Sequence, residues 1–137
     1  MNQNDIVYYV SPKLEIRNSE VHGLGVFAKE KIISGETIEI CRMLQLAWRM
    51  KYHSDSVLRD YSWINNCTCK ECTTHGSYMY IALGYGSLYN HSDNPNTDMK
   101  INYNDKMGTV VALMEIEQGQ EVFVSYGRNY WKSRNKS

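Results

Sequence analysis

The sequence predicts a mainly β fold of several short, mostly antiparallel sheets with a small, partly helical insert. Two observations support this class. Short runs of β-branched and aromatic residues alternate with glycine-containing turns along most of the chain. In contrast, the segment 46–61 scatters apolar residues among polar ones and contains neither glycine nor proline, which permits a helix or a loosely helical insert.

Each predicted strand is a short apolar or alternating run that ends at turn residues. In chain order, the predicted strands are 6–10, 14–17, 26–28, 37–41, 98–103, 109–114 and 121–126. The runs 98–103 and 109–114 form the clearest hairpin, with a turn that ends at Gly108. Strict alternation in the last strand places the Tyr126 ring on its apolar face.

At 137 residues the chain suits one domain, 1–137, with an insert at about 42–78 and a short tail at 128–137. Fifteen basic and fifteen acidic side chains cancel, which disfavours direct binding of nucleic acid. No apolar run approaches the roughly 18 residues that cross a bilayer, and the start lacks the features of a signal peptide. We therefore expect no membrane contact and an intracellular location, in the cytoplasm or, for a viral or secreted effector, the host nucleus.

Three of the four cysteines crowd into one segment, as Cys67-x-Cys69-x2-Cys72-x2-His75. Three thiolates and an imidazole are a complete tetrahedral set for zinc, so these four residues are candidate metal ligands. The alternative is a hairpin with unrelated thiols, because so tight a spacing needs a compact knuckle to bring four side chains onto one ion. The sequence leaves both open, and the fourth cysteine, Cys41, is assigned to the core.

Three motifs that would each be weak alone occur in one order. Gly23-Leu24-Gly25 is by itself a turn that needs a positive φ. Asn90-His91 is by itself an ordinary turn before Pro95. Tyr126 is one of eleven tyrosines and could be a plain strand residue.

Together the blocks 22–28, 83–96 and 119–127 resemble the SET-domain protein lysine methyltransferases, in a short form close to the minimal viral and bacterial versions. The match runs through nearly the whole chain. It implies a SET fold in which the C-terminal segment is threaded through a loop that Asn96 holds. It also implies methyl transfer from S-adenosylmethionine to a lysine of a partner protein, a histone or another. Threading would bring Tyr126 against the Asn90 loop.

The resemblance implies roles for single residues. Asn90 would hold the amino-acid end of the cofactor, and the backbone of His91 would meet the adenine, with the imidazole as a structural hydrogen-bonder. The implied cofactor-binding set is Gly23, Leu24, Gly25, Tyr85, Asn90, His91, Tyr126 and Trp131. Tyr126 would be catalytic, its hydroxyl orienting methyl and amine together with backbone carbonyls near Leu88 and Tyr89.

Aromatic side chains would line the channel for the substrate lysine, since aromatic faces can hold both the lysine stem and a methylated cation. The candidates are Tyr61, Tyr85, Tyr126, Tyr130 and Trp131; of these, Tyr85 and Trp131 could equally be core rings. No cysteine follows Gly127, so the zinc-binding segment that closes this channel in many members is missing. Tyr130 and Trp131 would close it instead.

Two further departures from the family pattern are Ser87, where larger members usually carry Arg, and Ser125, where many carry Asp. Two alternatives to an enzyme also exist. One is a catalytically silent SET module that binds peptides or proteins, and the other is a small zinc-dependent interaction domain built on 67–75. The presence of both Asn90 and Tyr126 favours the enzyme, and a homodimer is a possible assembly.

Overall fold

The computed structural model describes residues 6–49, 55–65 and 67–127. The strands are Tyr9–Val10 (β1), Leu14–Asn18 (β2), Leu24–Ala28 (β3), Thr37–Arg49 (β4), Trp63–Ile64 (β5), Tyr78–Ala82 (β6), Asn90–His91 (β7), Thr97–Asn102 (β8), Met107–Ala112 (β9) and Glu121–Val124 (β10). The helices are Ser56–Asp60 (α1) and Lys70–His75 (α2), both too short to cross a membrane. The predicted mainly β fold is confirmed.

The first sheet is built around the long strand β4. Its order is β5-β6-β4-β9-β8, and β1 pairs with the start of β4. All of these pairings are antiparallel. The β8–β9 hairpin runs in unbroken register from Thr97, opposite Ala112, to Asn102, opposite Met107, which confirms the predicted hairpin. Through Glu39, strand β4 of this sheet holds residues 85–89.

The second sheet brings distant parts of the chain together. Its order is β2-β3-β10-β7, so the C-terminal strand lies between β3 and the short strand β7. β10 is antiparallel to β3 but parallel to β7, with Phe123 opposite Asn90 and Val124 opposite His91. Asn96 holds β10 from the side: its amide nitrogen donates to the Glu121 carbonyl at 2.9 Å, and its oxygen accepts from the Phe123 amide at 2.8 Å.

The main core lies between the two sheets and consists of small and branched apolar side chains with one tyrosine. Its buried members are Leu14, Val26, Ala28, Ile32, Ile38, Tyr89, Val110, Ala112, Ile116, Val122 and Val124. A smaller cluster contains Cys41, Met43, Tyr80 and Ala82. Cys41 is therefore core, as predicted, and burial raises the pKa of its thiol to about 11.

The predicted helical insert is only partly correct. Residues 46–49 continue β4, and Arg49 pairs with Tyr78 of β6 after a register shift. Cross-strand pairing therefore overrides local pattern there. Helix α1 does form, beginning after Asp55, whose carboxylate accepts from the Leu58 amide at 2.9 Å.

Candidate functional site

A cleft of about 400 Å³ opens between the start of β3, the end of α1 and the segment 87–91. Its lining residues are Val21, His22, Leu24, Asp60, Tyr61, Ser87, Leu88, Asn90, His91 and Tyr126. A second, much smaller pocket lies beside it and shares Tyr61 and Tyr126 with it, but adds Trp63 and Tyr89. Tyr126 therefore stands where the two spaces meet.

Asn90 is buried at the edge of the cleft and is held by three acceptors. Its amide nitrogen lies 3.1 Å from the His22 carbonyl, 3.2 Å from the Leu24 carbonyl and 2.7 Å from Oε2 of Glu121. The other Glu121 oxygen accepts from the Ser19 hydroxyl at 2.7 Å. Because the amide nitrogen is engaged on this side, the amide orientation of Asn90 is fixed.

The glycines of the predicted cofactor turn differ in what they do. Gly23 has a φ of +48° and makes the β2–β3 turn, with its carbonyl accepting from the Ser19 amide at 2.7 Å. Gly25 is buried, and a Cβ there would collide with Oε2 of Glu121 and reach 3.0 Å from the Asn90 amide nitrogen. Gly23 is needed for the turn, whereas Gly25 is needed so that β3 can lie close to the side chains of Glu121 and Asn90.

The imidazole of His91 joins the Asn90 loop to the C-terminal segment. Its Nδ1 accepts from the backbone amide of Tyr126 at 3.0 Å, and its Nε2 lies 2.8 Å from an Asp93 carboxylate oxygen. An acceptor at Nδ1 places the proton on Nε2. The ring therefore acts in this arrangement as a structural hydrogen-bonder.

Tyr126 is held at both its backbone and its hydroxyl. The hydroxyl donates to the carbonyl of Tyr89 at 2.6 Å. The ring lies edge-on to Trp63, with centroids 5.8 Å apart, and is tilted against His91 at 5.3 Å. The expected meeting of Tyr126 with the Asn90 loop is thus present, although strand β10 ends two residues earlier than predicted.

Beneath this loop lies Glu39, which is completely buried in β4. Its Oε1 accepts from the Tyr89 hydroxyl at 2.6 Å, and its Oε2 accepts from the Tyr85 amide at 2.9 Å. Burial raises the pKa of Glu39, an effect that these two hydrogen bonds partly offset. Burial and the neighbouring carboxylate raise the pKa of Tyr89 well above its usual value.

The aromatic residues predicted to line the lysine channel differ in their positions. Tyr61 lines both the cleft and the small pocket. Tyr85 packs against the main core instead of lining either space, because its backbone is tied to Glu39. Tyr130 and Trp131 lie outside the described residues. Trp63, which the sequence did not single out, contributes the indole that faces Tyr126.

Three cysteines of the predicted metal set come together. The sulfur atoms of Cys67, Cys69 and Cys72 all lie within 4.8 Å of one another. Cys69 caps helix α2 by accepting from the Cys72 amide at 3.4 Å, and this hydrogen bond, together with those from the Cys67 and Cys72 thiols, lowers the pKa of its thiol to about 7. Arg49 donates to the Cys72 sulfur at 3.5 Å.

His75, the expected fourth ligand, is not part of this group. It is the last residue of α2 and is exposed. Residues three apart on a helix lie on the same face, so His75 follows Cys72 on one side of α2. Its role as the fourth ligand stays a prediction.

Fold and site together define a class: a β protein whose C-terminal strand lies between two others beside a cleft of about 400 Å³, with the hydroxyl of a half-buried tyrosine at that cleft. Residues 23–127 match the family model of the SET domain. The chain is 32% identical, over 121 residues, to the histone-lysine N-methyltransferase specific for H3 lysine-37 of Schizosaccharomyces pombe, covering 86% of this chain and 76% of that protein.

Among solved structures, a candidate histone methyltransferase of Plasmodium falciparum superposes with a TM-score of 0.65 at 32% identity. The match covers 89% of this chain and 99% of that one. The chain belongs to the SET-domain family.

Proposed function

We propose that this protein is an S-adenosylmethionine-dependent protein-lysine N-methyltransferase with Tyr126 as its catalytic residue. One observation carries the proposal: the Tyr126 hydroxyl, bonded at 2.6 Å to the Tyr89 carbonyl, stands where the large cleft meets the small aromatic pocket. A cofactor in the cleft and a lysine entering from the pocket would meet at this hydroxyl.

The residues around Asn90 fit the amino-acid end of the cofactor. The His22 and Leu24 carbonyls and the Glu121 carboxylate offer only acceptors, which suits a cationic amino group. Leu24 and Leu88 add apolar surface to the same cleft, as the adenosine part requires. Bound there, the cofactor would supply a methyl group already activated by the positive charge of its sulfur.

The chain's own residues then have to align the amine and keep it neutral. A lysine with a pKa of about 10.4 is neutral in only about one part in a thousand near pH 7.4, a deficit of about 4 kcal/mol. Tyr61, Trp63 and Tyr126 contribute aromatic walls to the small pocket, and burial of the substrate amine against them would disfavour its ammonium form. The Tyr126 hydroxyl and neighbouring carbonyl oxygens would hold the amine in line with the methyl group.

The substrate we propose is a lysine of a histone or of another protein, because the S. pombe relative is named for histone H3. A methylation assay with labelled cofactor on a histone mixture and on a cell lysate, followed by mass spectrometry of the labelled site, tests activity and substrate together. Labelled lysine in either sample would support the proposal, and labelling in neither would contradict it.

Tyr126→Phe tests the catalytic role. We expect turnover to fall severely, with the fold retained. Tyr103→Phe is the matched control, because the Tyr103 hydroxyl also donates to a backbone carbonyl, that of Ile64 at 2.9 Å, but lies outside the cleft lining. Equal turnover in the two variants would remove Tyr126 from the mechanism.

Asn90→Ala tests the cofactor site. Calorimetry with S-adenosylhomocysteine should show weaker binding, since a polar group of the ligand loses its partner. A variant that still binds cofactor and peptide but transfers no methyl group would instead match the alternative, a catalytically silent SET module that binds proteins.

We further propose that Cys67, Cys69 and Cys72 bind zinc. Zinc–sulfur bonds of about 2.3 Å at tetrahedral angles place ligand sulfur atoms about 3.8 Å apart, within the spread of these three thiols. Elemental analysis should find one zinc per chain in the wild type and much less in Cys69→Ser. Cys41→Ala, a change at the buried thiol, should retain the metal. His75→Ala tests the predicted fourth ligand: loss of the metal would identify this imidazole as a ligand, and retention would exclude it. A metal-free wild type would end the proposal.

A further inference from the structure

Glu39 carries a buried carboxyl group that the proposed methyl-transfer chemistry does not use. Its side chain has no exposure to solvent, yet it carries a carboxyl group in the middle of the central sheet. Burying such a group costs free energy unless it is paired or hydrogen-bonded. Within the described residues no ion pair involves it, so its environment consists of hydrogen-bond donors.

Those donors come from one short segment. Oε1 accepts from the Tyr89 hydroxyl at 2.6 Å, and Oε2 accepts from the Tyr85 amide at 2.9 Å. Gly84 precedes this segment with a φ of +68°, and a Cβ there would come to 2.5 Å from Oε2. The glycine lets the backbone approach the carboxylate, which then holds the segment 85–89 at both ends.

The far end of this segment bears directly on the site. Tyr89 is 1% exposed, its hydroxyl is bound to Glu39, and its carbonyl accepts the hydrogen bond from Tyr126. The position of that carbonyl therefore depends on a side chain anchored beneath it. A phenylalanine paired with a leucine would fill much of the same space without desolvating a carboxyl group, so packing alone does not explain the pair.

We propose that Glu39 is a positioning residue for methyl transfer: by holding Tyr89 and Tyr85 it fixes the carbonyl to which the Tyr126 hydroxyl is bonded. This inference rests on the proposed function, since the hydroxyl is the one that would orient the amine. It assigns Glu39 and the Tyr89 phenol to the lysine side of the site, not to the cofactor side. Cofactor affinity should therefore be insensitive to them.

Tyr89→Phe is the principal test, because it removes one hydroxyl and keeps the buried ring. We expect kcat to fall about tenfold, as for a small misplacement of a reacting group. The affinity for S-adenosylhomocysteine, measured by calorimetry, should stay at the wild-type value. In protein labelled with ¹³C at the tyrosine Cζ, the resonance of Tyr126, assigned by its absence in Tyr126→Phe, should shift.

Glu39→Gln is the conservative rescue. The glutamine oxygen can accept from the Tyr85 amide while its nitrogen donates to the Tyr89 oxygen, so both ends of the segment stay held. We expect kcat within about twofold of wild type and the wild-type Tyr126 resonance. Glu39→Leu, which can hold neither end, should resemble Tyr89→Phe. Tyr103→Phe controls for the loss of a hydrogen-bonded tyrosine hydroxyl elsewhere in the fold.

Unchanged kcat and an unshifted Tyr126 resonance in folded Tyr89→Phe would overturn the proposal. A parallel loss of S-adenosylhomocysteine affinity would also overturn it, because the effect would then be a general loosening of the loop. If wild-type protein transfers no methyl group, the proposed function fails, and the Tyr126 resonance in Tyr89→Phe and Glu39→Gln still decides whether Glu39 positions that hydroxyl.

Discussion

Replacement of Gly25 by alanine should weaken cofactor binding without any loss of backbone compatibility. Gly25 lies in β3 and is not among the glycines with positive φ, so an alanine can adopt its conformation. The added methyl group, however, would occupy the place of Oε2 of Glu121 and press on the Asn90 amide. The Glu121 carboxylate must then swing away from Asn90.

The magnitude follows from the hydrogen bond that is lost. Asn90 donates to Glu121 at 2.7 Å, a bond to a charged acceptor, and such bonds contribute about 1.5–3 kcal/mol. The His22 and Leu24 carbonyls remain as acceptors, so Asn90 keeps two of its three hydrogen-bond partners. Because that free energy presents Asn90 to the cofactor, affinity should fall about 10- to 150-fold.

Calorimetric titration with S-adenosylhomocysteine measures this loss directly. Gly35→Ala is the matched control, since Gly35 has a φ of +87° and open space around it. That change should lower the free energy of unfolding by about 1 kcal/mol through backbone strain and leave the affinity intact. Wild-type affinity in Gly25→Ala, or an equal loss in Gly35→Ala, would refute the assignment of this contact to cofactor binding.

Two further predictions concern stability. Because burial raises the pKa of Glu39 above 4.5, the folded chain keeps a proton that the unfolded chain releases, and the free energy of unfolding falls as pH rises from about 4.5 to the folded-state pKa. Glu39→Gln should lack this fall in urea titrations at several pH values; an unchanged pH profile would contradict it. Asn96→Ala loses two hydrogen bonds to β10, and its free energy of unfolding, measured with urea, should fall by about 1–3 kcal/mol. An unchanged free energy of unfolding would mean that strand pairing alone holds β10.

The sequence predicted the parts of the site that belong to continuous motifs. The Asn90 loop, the turn at Gly23 and the approach of Tyr126 to that loop are all present in the structure. Turn residues and short alternating strands are encoded locally, so they can be recognised without knowledge of what packs against them. The contact between Tyr126 and the Asn90 loop joins distant parts of the chain, and it was predicted from the family resemblance and not from the local pattern.

The residues that the sequence did not reveal are those whose role depends on burial. Glu39 and Glu121 sit in alternating strands, where a carboxylate ordinarily indicates a solvent-facing position. Glu39 instead lies beneath the segment 85–89, and Glu121 faces Asn90 across the sheet. Trp63 belongs to the insert, where the pattern was ambiguous. Each depends on contacts between elements far apart in the chain, which periodicity does not encode.

The parallel pairing of β7 with β10 joins the Asn90 loop to the segment that carries Tyr126. Asn90 lies opposite Phe123 in that ladder, and three residues beyond Phe123 the backbone amide of Tyr126 donates to His91. A shift of the Asn90 loop should therefore move the tyrosine as well, because hydrogen bonds join the two segments directly. Changes that disturb the ladder should alter both cofactor affinity and kcat, whereas Glu39 acts only through the Tyr89 carbonyl and should alter kcat alone.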